Sequence, residues 1–233
     1  MTILVTGGTG TLGRDLLPLL PGAITLSRSP GDGRRVADLS TGAGLAEAMD
    51  GIGSVIHLAD GRDQERVAQK IVAAASGVRH IVFISIAGID SIPFGYYRAK
   101  LAAERVIEGS GIPFTTLRAT QFHQFAAGMF EAQRLLPVLF TPRLRVQPID
   151  TRTVAAVLAQ AALGTPAGRL PDLGGPEILT GLEIVTALKA ARGWRRRVVP
   201  FSLAGTTWRA FSAGHNLVPG NRSGGRTFAE FLE

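Results

Sequence analysis

Tyr96 and Lys100 stand four residues apart in a stretch that reads as helix, so one helix face is expected to carry both side chains. A phenol beside an ammonium is a candidate proton donor. Free tyrosine ionises near pH ~10, and lowering that value by ~3 units takes roughly 4 kcal/mol of differential stabilisation. A neighbouring cation in a dry site supplies part of it. Ser85 falls at the expected C-terminal end of a strand, where its hydroxyl is placed to hold a carbonyl that Tyr96 protonates. Ser85, Tyr96 and Lys100 are therefore the candidate catalytic residues. Tyr97, the only other tyrosine, is the alternative donor. The plainer readings are an aromatic–cation pair on a surface helix and a strand-end serine bonded to backbone.

A second cluster opens the chain. Residues 3–13 read ILVTGGTGTLG, an apolar strand running into Gly7, Gly10 and Gly13 with helix-forming residues close behind. Strand, glycine turn and helix N-terminus together make a cradle for a pyrophosphate. Gly7 suits the tight turn, Gly10 the approach of backbone to phosphate, and Gly13 the close packing of helix on strand. Thr9, Thr11 and Leu12 complete the loop. The glycines are spaced three and three, unlike the G-x-G-x-x-G of two-domain dehydrogenases.

The choice of dinucleotide is read from the end of the second strand, Leu26-Ser27-Arg28-Ser29. No acidic residue stands there to bond a ribose 2′-hydroxyl and repel a 2′-phosphate, whereas Ser27 and Arg28 can take a phosphate. NADP(H) is expected over NAD(H), with Arg34 and Arg35 as further donors and Asp32 as the one opposing charge. Asp60 also sits awkwardly, because a carboxylate beside a pyrophosphate costs energy unless it faces solvent or an arginine. His57 reads as a core histidine satisfied by backbone, and Arg118 as a structural hydrogen-bond hub.

The elements that must position these residues alternate. Strands are predicted at Ile3–Thr6, Ala23–Leu26, Arg35–Ala37, Ser54–Leu58, His80–Ser85 and Thr115–Arg118. Helices are predicted near Leu12–Leu20, Gly44–Met49, Asp63–Ala75, Tyr96–Glu108 and Phe122–Leu135, with Pro18 closing or kinking the first. Alternation of this kind predicts an α/β fold, a doubly wound parallel sheet whose ligand edge lies beyond the strands' C-terminal ends. Beyond about Thr141 the pattern loosens. A helix over Val154–Leu163, a capping box at Thr180 and Glu183 opening another, an edge strand at Arg196–Val199 stopped by Pro200, a mobile Gly214–Gly225 loop and a closing turn at Phe228–Leu232 are expected. Residues 1–233 are taken as one domain, with 141–233 as a small C-terminal substrate cap and tail.

Composition narrows the class. The chain has no cysteine, which excludes thiol nucleophiles, disulfides and thiolate metal sites, and its four histidines lack metal-ligand spacing. No metal is expected. Arginines scattered along the chain make up most of a net charge of +7, so no nucleic-acid partner is expected. With no long apolar run and a strand beginning at once, neither a membrane span nor a signal peptide is expected, and the default is cytoplasmic. The sequence leaves the oligomeric state open.

Together TGGTGTLG, HLA at 57–59, FISIAG at 83–88, YYRAK at 96–100 and LRATQF at 117–122 resemble a short-chain dehydrogenase/reductase, and more narrowly the atypical, NmrA-like NAD(P)H-binding branch. The resemblance implies a Rossmann fold with Ser85, Tyr96 and Lys100 at the family's serine, tyrosine and lysine positions. It also implies that Lys100 reaches cofactor ribose. Leu58, Ala59 and Thr120 would line the cofactor, and Asp38 and Leu39 would meet adenine unless Asp38 merely caps the next turn. Gln121, Phe122 and His123 would line the substrate. The family's catalytic asparagine has no counterpart, since Asn216 and Asn221 both lie in the tail. The expected function is NADP(H)-dependent hydride transfer to a small carbonyl or quinone-like substrate; the alternative is a dinucleotide-binding redox sensor without turnover.

Overall fold

The computed structural model describes residues 2–61 and 63–233. In chain order the first half runs β1 (Ile3–Thr6), α1 (Thr11–Leu16), β2 (Ile24–Ser27), β3 (Arg34–Val36), α2 (Leu45–Met49), β4 (Ser54–His57), α3 (Gln64–Ala74), β5 (His80–Ile86), α4 (Gly95–Glu108) and β6 (Phe114–Ala119). The second half holds α5 (His123–Glu131), β7 (Val138–Pro142), β8 (Arg145–Val146), α6 (Thr151–Leu163), β9 (Gly168–Arg169), β10 (Leu179–Thr180), α7 (Gly181–Arg192), β11 (Arg197–Phe201), α8 (Thr206–Ser212) and α9 (Phe228–Leu232).

Seven strands make one sheet in the order β3-β2-β1-β4-β5-β6-β9. β1 pairs in parallel with both β2 and β4, so strand order reverses on either side of it. That reversal defines the crevice of a doubly wound sheet. The strands are short and β-branched, and β1 and β4 are buried along their whole length, as central parallel strands covered on both faces must be. Leu4, Val55, Ile81 and Phe83 from the sheet meet Ala68 and Ile71 of α3 and Ala103 and Ile107 of α4 in one core.

The described chain divides into two compact units. One holds residues up to Ser85, Gly95–Arg118 and Val154–Pro171; the other holds Ile86–Phe94, Ala119–Thr153 and Asp172–Glu233. The second unit has its own core of Phe130, Leu139, Ile184, Val185, Leu188 and Phe228. β7 and β11 pair in parallel there, and β8 pairs with β10 antiparallel. The capping box expected at Thr180 and Glu183 is present, and a second one, Thr227 with Glu230, opens α9.

Several boundaries differ from expectation. The first helix stops at Leu16 and tightens to a 3-10 turn over Leu17–Leu19, because Pro18 sits at its start. α5 ends at Glu131, short of Leu135, and the Arg196 guanidinium donates to the Gln133 carbonyl (2.7 Å) in the turn that follows. β11 runs through Pro200 to Phe201; its only partner strand is β7, and an edge strand tolerates a missing N–H. Gly214–Gly225 has no helix or strand, yet it is well fastened. Asn216 Nδ2 donates to Arg145 O (2.9 Å), the Val218 amide to Gln147 Oε1 (2.7 Å) and Asn221 Nδ2 to Asp172 O (2.9 Å). No helix is long and apolar enough to cross a membrane.

Candidate functional site

The glycine turn lies at the strand-order reversal. Gly7 has φ of 73°, and a Cβ there would come within 2.7 Å of the Ala59 amide nitrogen, so the turn after β1 presses on the chain leaving β4. Gly13 is equally constrained, since its Cβ would stand 2.5 Å from the Gly7 carbonyl. Gly10 is the N-cap of α1 with extended backbone and no side-chain cap, and no acidic residue occupies the first turn. Thr9, Gly10 and Thr11 are exposed while Leu12 is buried beneath them. The Gly10 amide donates to the Gly7 carbonyl (3.0 Å) within the turn, and the other amides at the head of α1, with no carboxylate in its first turn, fit a dinucleotide pyrophosphate.

Arg28, Val36, Ala37, Asp38, Ala43 and Gly44 line a shallow groove of about 320 Å³ beyond β2 and β3. Ser27 is turned inward along its own loop, its hydroxyl accepting from the Ser29 amide (3.2 Å). Asp38 takes the capping role. Its carboxylate accepts from the Ser40 amide (2.7 Å) and hydroxyl (2.6 Å), and these bonds hold it below the usual carboxylate range. Leu39 packs on the core. Arg35, expected as a phosphate donor, is committed elsewhere: its guanidinium donates to the Ala48 (3.0 Å) and Asp50 carbonyls at the end of α2.

Leu58 is buried and Ala59 half-buried, the Ala59 amide donating to Thr6 Oγ1 at 3.3 Å. Thr6 Oγ1 also lies 2.7 Å from His57 Nδ1. The same hydroxyl therefore joins the His57 ring to the chain leaving β4. His57 is thus a core histidine, but a threonine side chain satisfies it instead of backbone. Burial, with the Lys100 cation adding, holds its pKa down to about 3.

Tyr96 and Tyr97 part company at the start of α4. Tyr96 is 39 % exposed, whereas Tyr97 is 6 % exposed. Only the former presents its hydroxyl to an incoming molecule. Lys100 lies one turn on and is buried at 3 %, its Nζ 4.7 Å from the centre of the Phe83 ring. Loss of hydration lowers the Lys100 pKa to about 8, and the carboxylates of Asp60 and Glu104 oppose that fall. The expected acidification of Tyr96 is reversed. Its hydroxyl donates to Asp60 Oδ2 at 2.7 Å, and desolvation together with that bond pushes the phenol upward.

Ser85 is a correction. Period-two alternation along β5 puts Ile81, Phe83 and Ser85 on the face covered by α4, and the Ser85 hydroxyl donates to Glu104 Oε2. Glu104 is ion-paired with Arg118, whose Nε stands 3.1 Å from both carboxylate oxygens; all three residues are buried. The Ser85 hydroxyl therefore braces a buried ion pair, its one proton committed to Glu104 and not free for a carbonyl. Arg118 is the hub that was expected.

Two further residues expected at the ligand prove structural. Thr120 Oγ1 donates to Gln147 O (2.6 Å) and accepts from the Gly175 amide (3.2 Å), so its one proton is committed inside the fold. His123 is fully buried, its Nε2 2.9 Å from the Arg226 carbonyl and its ring stacked on Phe231 at 5.2 Å. Gln121 and Phe122 are half-buried before α5. Sequence reasoning missed the Tyr96–Asp60 bond and the Glu104–Arg118 pair. The stripe Lys100, Glu104 on α4 signals the second, while nothing local signals the first.

The strand order and the glycine cradle at its reversal define a dinucleotide-binding α/β protein. Residues 7–163 match the family model described as NAD(P)H-binding, and the chain belongs to that family. It is 32 % identical over 82 % of its length to a (4-alkanoyl-5-oxo-2,5-dihydrofuran-3-yl)methyl phosphate reductase of Streptomyces griseus, covering 74 % of that protein. It is 29 % identical over 86 % of its length to an NAD(P)H azoreductase of Xenophilus azovorans, covering 77 % of it. Among solved structures, an Escherichia coli NADPH-dependent quinone oxidoreductase complexed with NADPH superposes with a TM-score of 0.79 at 18 % identity, over 99 % of this chain and 98 % of the other. At that identity the likeness speaks for the fold.

Proposed function

We propose that the chain is an NADPH-dependent reductase of small conjugated acceptors, carbonyl or quinone-like. The observation that carries the proposal is an exposed phenol, Tyr96, one helical turn from a buried ammonium, Lys100, within the unit that holds the glycine cradle. The reductase names of the relatives support the same reaction class. Bound NADPH supplies the hydride. Backbone amides of Thr9, Thr11 and Leu12 bind the pyrophosphate, and the Lys100 ammonium anchors ribose. Tyr96 gives its Oη proton to the acceptor oxygen as hydride arrives at carbon. The test is NADPH consumption, followed optically, against a panel of quinones, enones and aldehydes. Reproducible turnover with any of them supports the enzyme.

A second reading has one observation in its favour. The Tyr96 proton points at Asp60, an arrangement that also suits a protein that binds dinucleotide and signals without turnover. Tight binding with no consumption across the panel would select it.

NADPH is assigned over NADH on Arg28, which is exposed beside the groove after β2 and faces no acidic residue of its own strand end. Asp38, the one carboxylate in that groove, is occupied by Ser40. Arg28→Ala is expected to weaken NADPH roughly tenfold, about 1.4 kcal/mol, and to leave NADH nearly unchanged. Equal loss for both dinucleotides in a titration would place the 2′-phosphate elsewhere.

A further inference from the structure

The carboxylate of Asp60 is held in place by its own loop. Its Oδ1 accepts from the Gly61 amide (3.0 Å) and from Nε2 of Gln64. Gln64 is 2 % exposed, and its amide also donates to the Gly61 carbonyl (3.0 Å). A buried glutamine is thus spent on orienting one exposed carboxylate. The backbone contributes too: Asp63, the N-cap of α3, has φ of 55°, the sole positive φ outside glycine among the described residues. Left-handed backbone at a non-glycine residue costs of order 1 kcal/mol and persists where the surroundings impose it. The result leaves Oδ2 aimed at Tyr96, whose hydroxyl donates to it at 2.7 Å.

We propose that Asp60 is a positioning residue for the reductase site, a fixed acceptor that clamps the Tyr96 hydroxyl in its proton-bearing form and balances the Lys100 ammonium. This rests on the reductase reading for its purpose, though not for its geometry. The clamp answers two difficulties. The chain has no asparagine before its tail to organise the phenol and lysine, and a carboxylate beside a pyrophosphate site is otherwise an unexplained cost. With Asp60 in place the phenol stays protonated throughout the working pH range, and its proton is surrendered only when an acceptor oxygen displaces the carboxylate from Oη. Asp60 then retains its bonds to Gly61 and Gln64, so displacement leaves no buried charge unpaired.

Among the described residues, the titratable groups acting on the phenol include Asp60 from the loop after β4 and Tyr97 on its own helix, and those acting on Lys100 include Asp60, Glu104 and His57. The chain's two tyrosines make the test direct. In a Tyr97→Phe background Tyr96 is the only phenol, and tyrosinate absorbance follows it alone in the full chain without dinucleotide. Adding Asp60→Asn is expected to bring the ionisation midpoint down by about one unit or more. It should also move the Tyr96 Cζ carbon resonance at neutral pH, a reading that does not depend on stability in alkali. In turnover, the alkaline limb set by Lys100 should shift to lower pH in Asp60→Asn and return with Asp60→Glu. An unmoved midpoint together with an unmoved Cζ resonance would overturn the clamp. Because the phenol measurements need no cofactor, a clamp that is present in a chain that fails to bind NADPH would retire the reductase reading and keep this one.

Discussion

Tyr96→Phe is expected to lower NADPH-dependent turnover by 10²–10⁴-fold, the usual worth of a positioned proton donor, while NADPH affinity stays within about twofold. The separation follows from the structure. The Tyr96 hydroxyl donates to Asp60, whereas the pyrophosphate is assigned to backbone amides at the head of α1, so its removal should leave those amides in place. Asp60 is exposed and keeps Gly61 and Gln64, so the fold loses little. Tyr97→Phe is the matched control. Tyr97 is buried, and losing its hydroxyl should cost stability of about 1 kcal/mol with only a mild effect on rate. Paired steady-state kinetics and dinucleotide titrations decide the matter. If Tyr96→Phe turns over like its parent on any accepted substrate, the phenol is not the acid.

The second large effect is on stability. Lys100 is buried at 3 % with its pKa lowered from 10.5 to about 8. A cation whose folded pKa is depressed is bound less tightly to its proton in the folded chain than in the unfolded one. Below pH 8 it therefore penalises folding in full, by ~3 kcal/mol, and the penalty lifts as pH rises from about 8 toward 10.5. Lys100→Met keeps the stem and removes the charge. It is expected to raise the melting temperature at neutral pH by about 5 °C or more for a chain of this size, and to flatten the alkaline rise in stability that the parent shows. Activity should fall sharply in the same protein if Lys100 has the role proposed for it. A variant that loses both activity and stability at neutral pH would show that Lys100 is retained for the fold.

The two effects explain why the sequence was informative about one half of the chain and less so about the other. Each strand of the core sheet from β1 to β6 was legible, because a short β-branched run bounded by glycine or a polar turn has few other uses. Gly7 and Gly13 were legible for a steric reason: a Cβ at either would overlap backbone. β8, β9 and β10 were not, being two residues each, below any period that a pattern can establish. α8 was missed for want of a cap or a clean apolar stripe.

At the site, helical spacing places Tyr96 and Lys100 one turn apart, and both lie on α4. Spacing says nothing about partners brought by other elements. Ser85 looks outward in a list of strand ends, and only the presence of Glu104 across from it turns its hydroxyl inward. His123 reads as a surface helix residue until α9 folds over it. Asp60 looked like a liability beside a phosphate site, and its tie to Tyr96 spans 36 residues. Long-range polar pairs of this kind are where a local reading ends.

The central claim is that amides at the head of α1 hold a dinucleotide pyrophosphate and that Arg28 selects its 2′-phosphorylated form. Isothermal calorimetry on the folded chain, titrated in turn with NADPH, NADP⁺ and NADH, tests it most directly. Saturable heats are expected for the two phosphorylated forms at micromolar concentrations, with a markedly weaker one for NADH. Absence of heat from all three at millimolar concentration would contradict it.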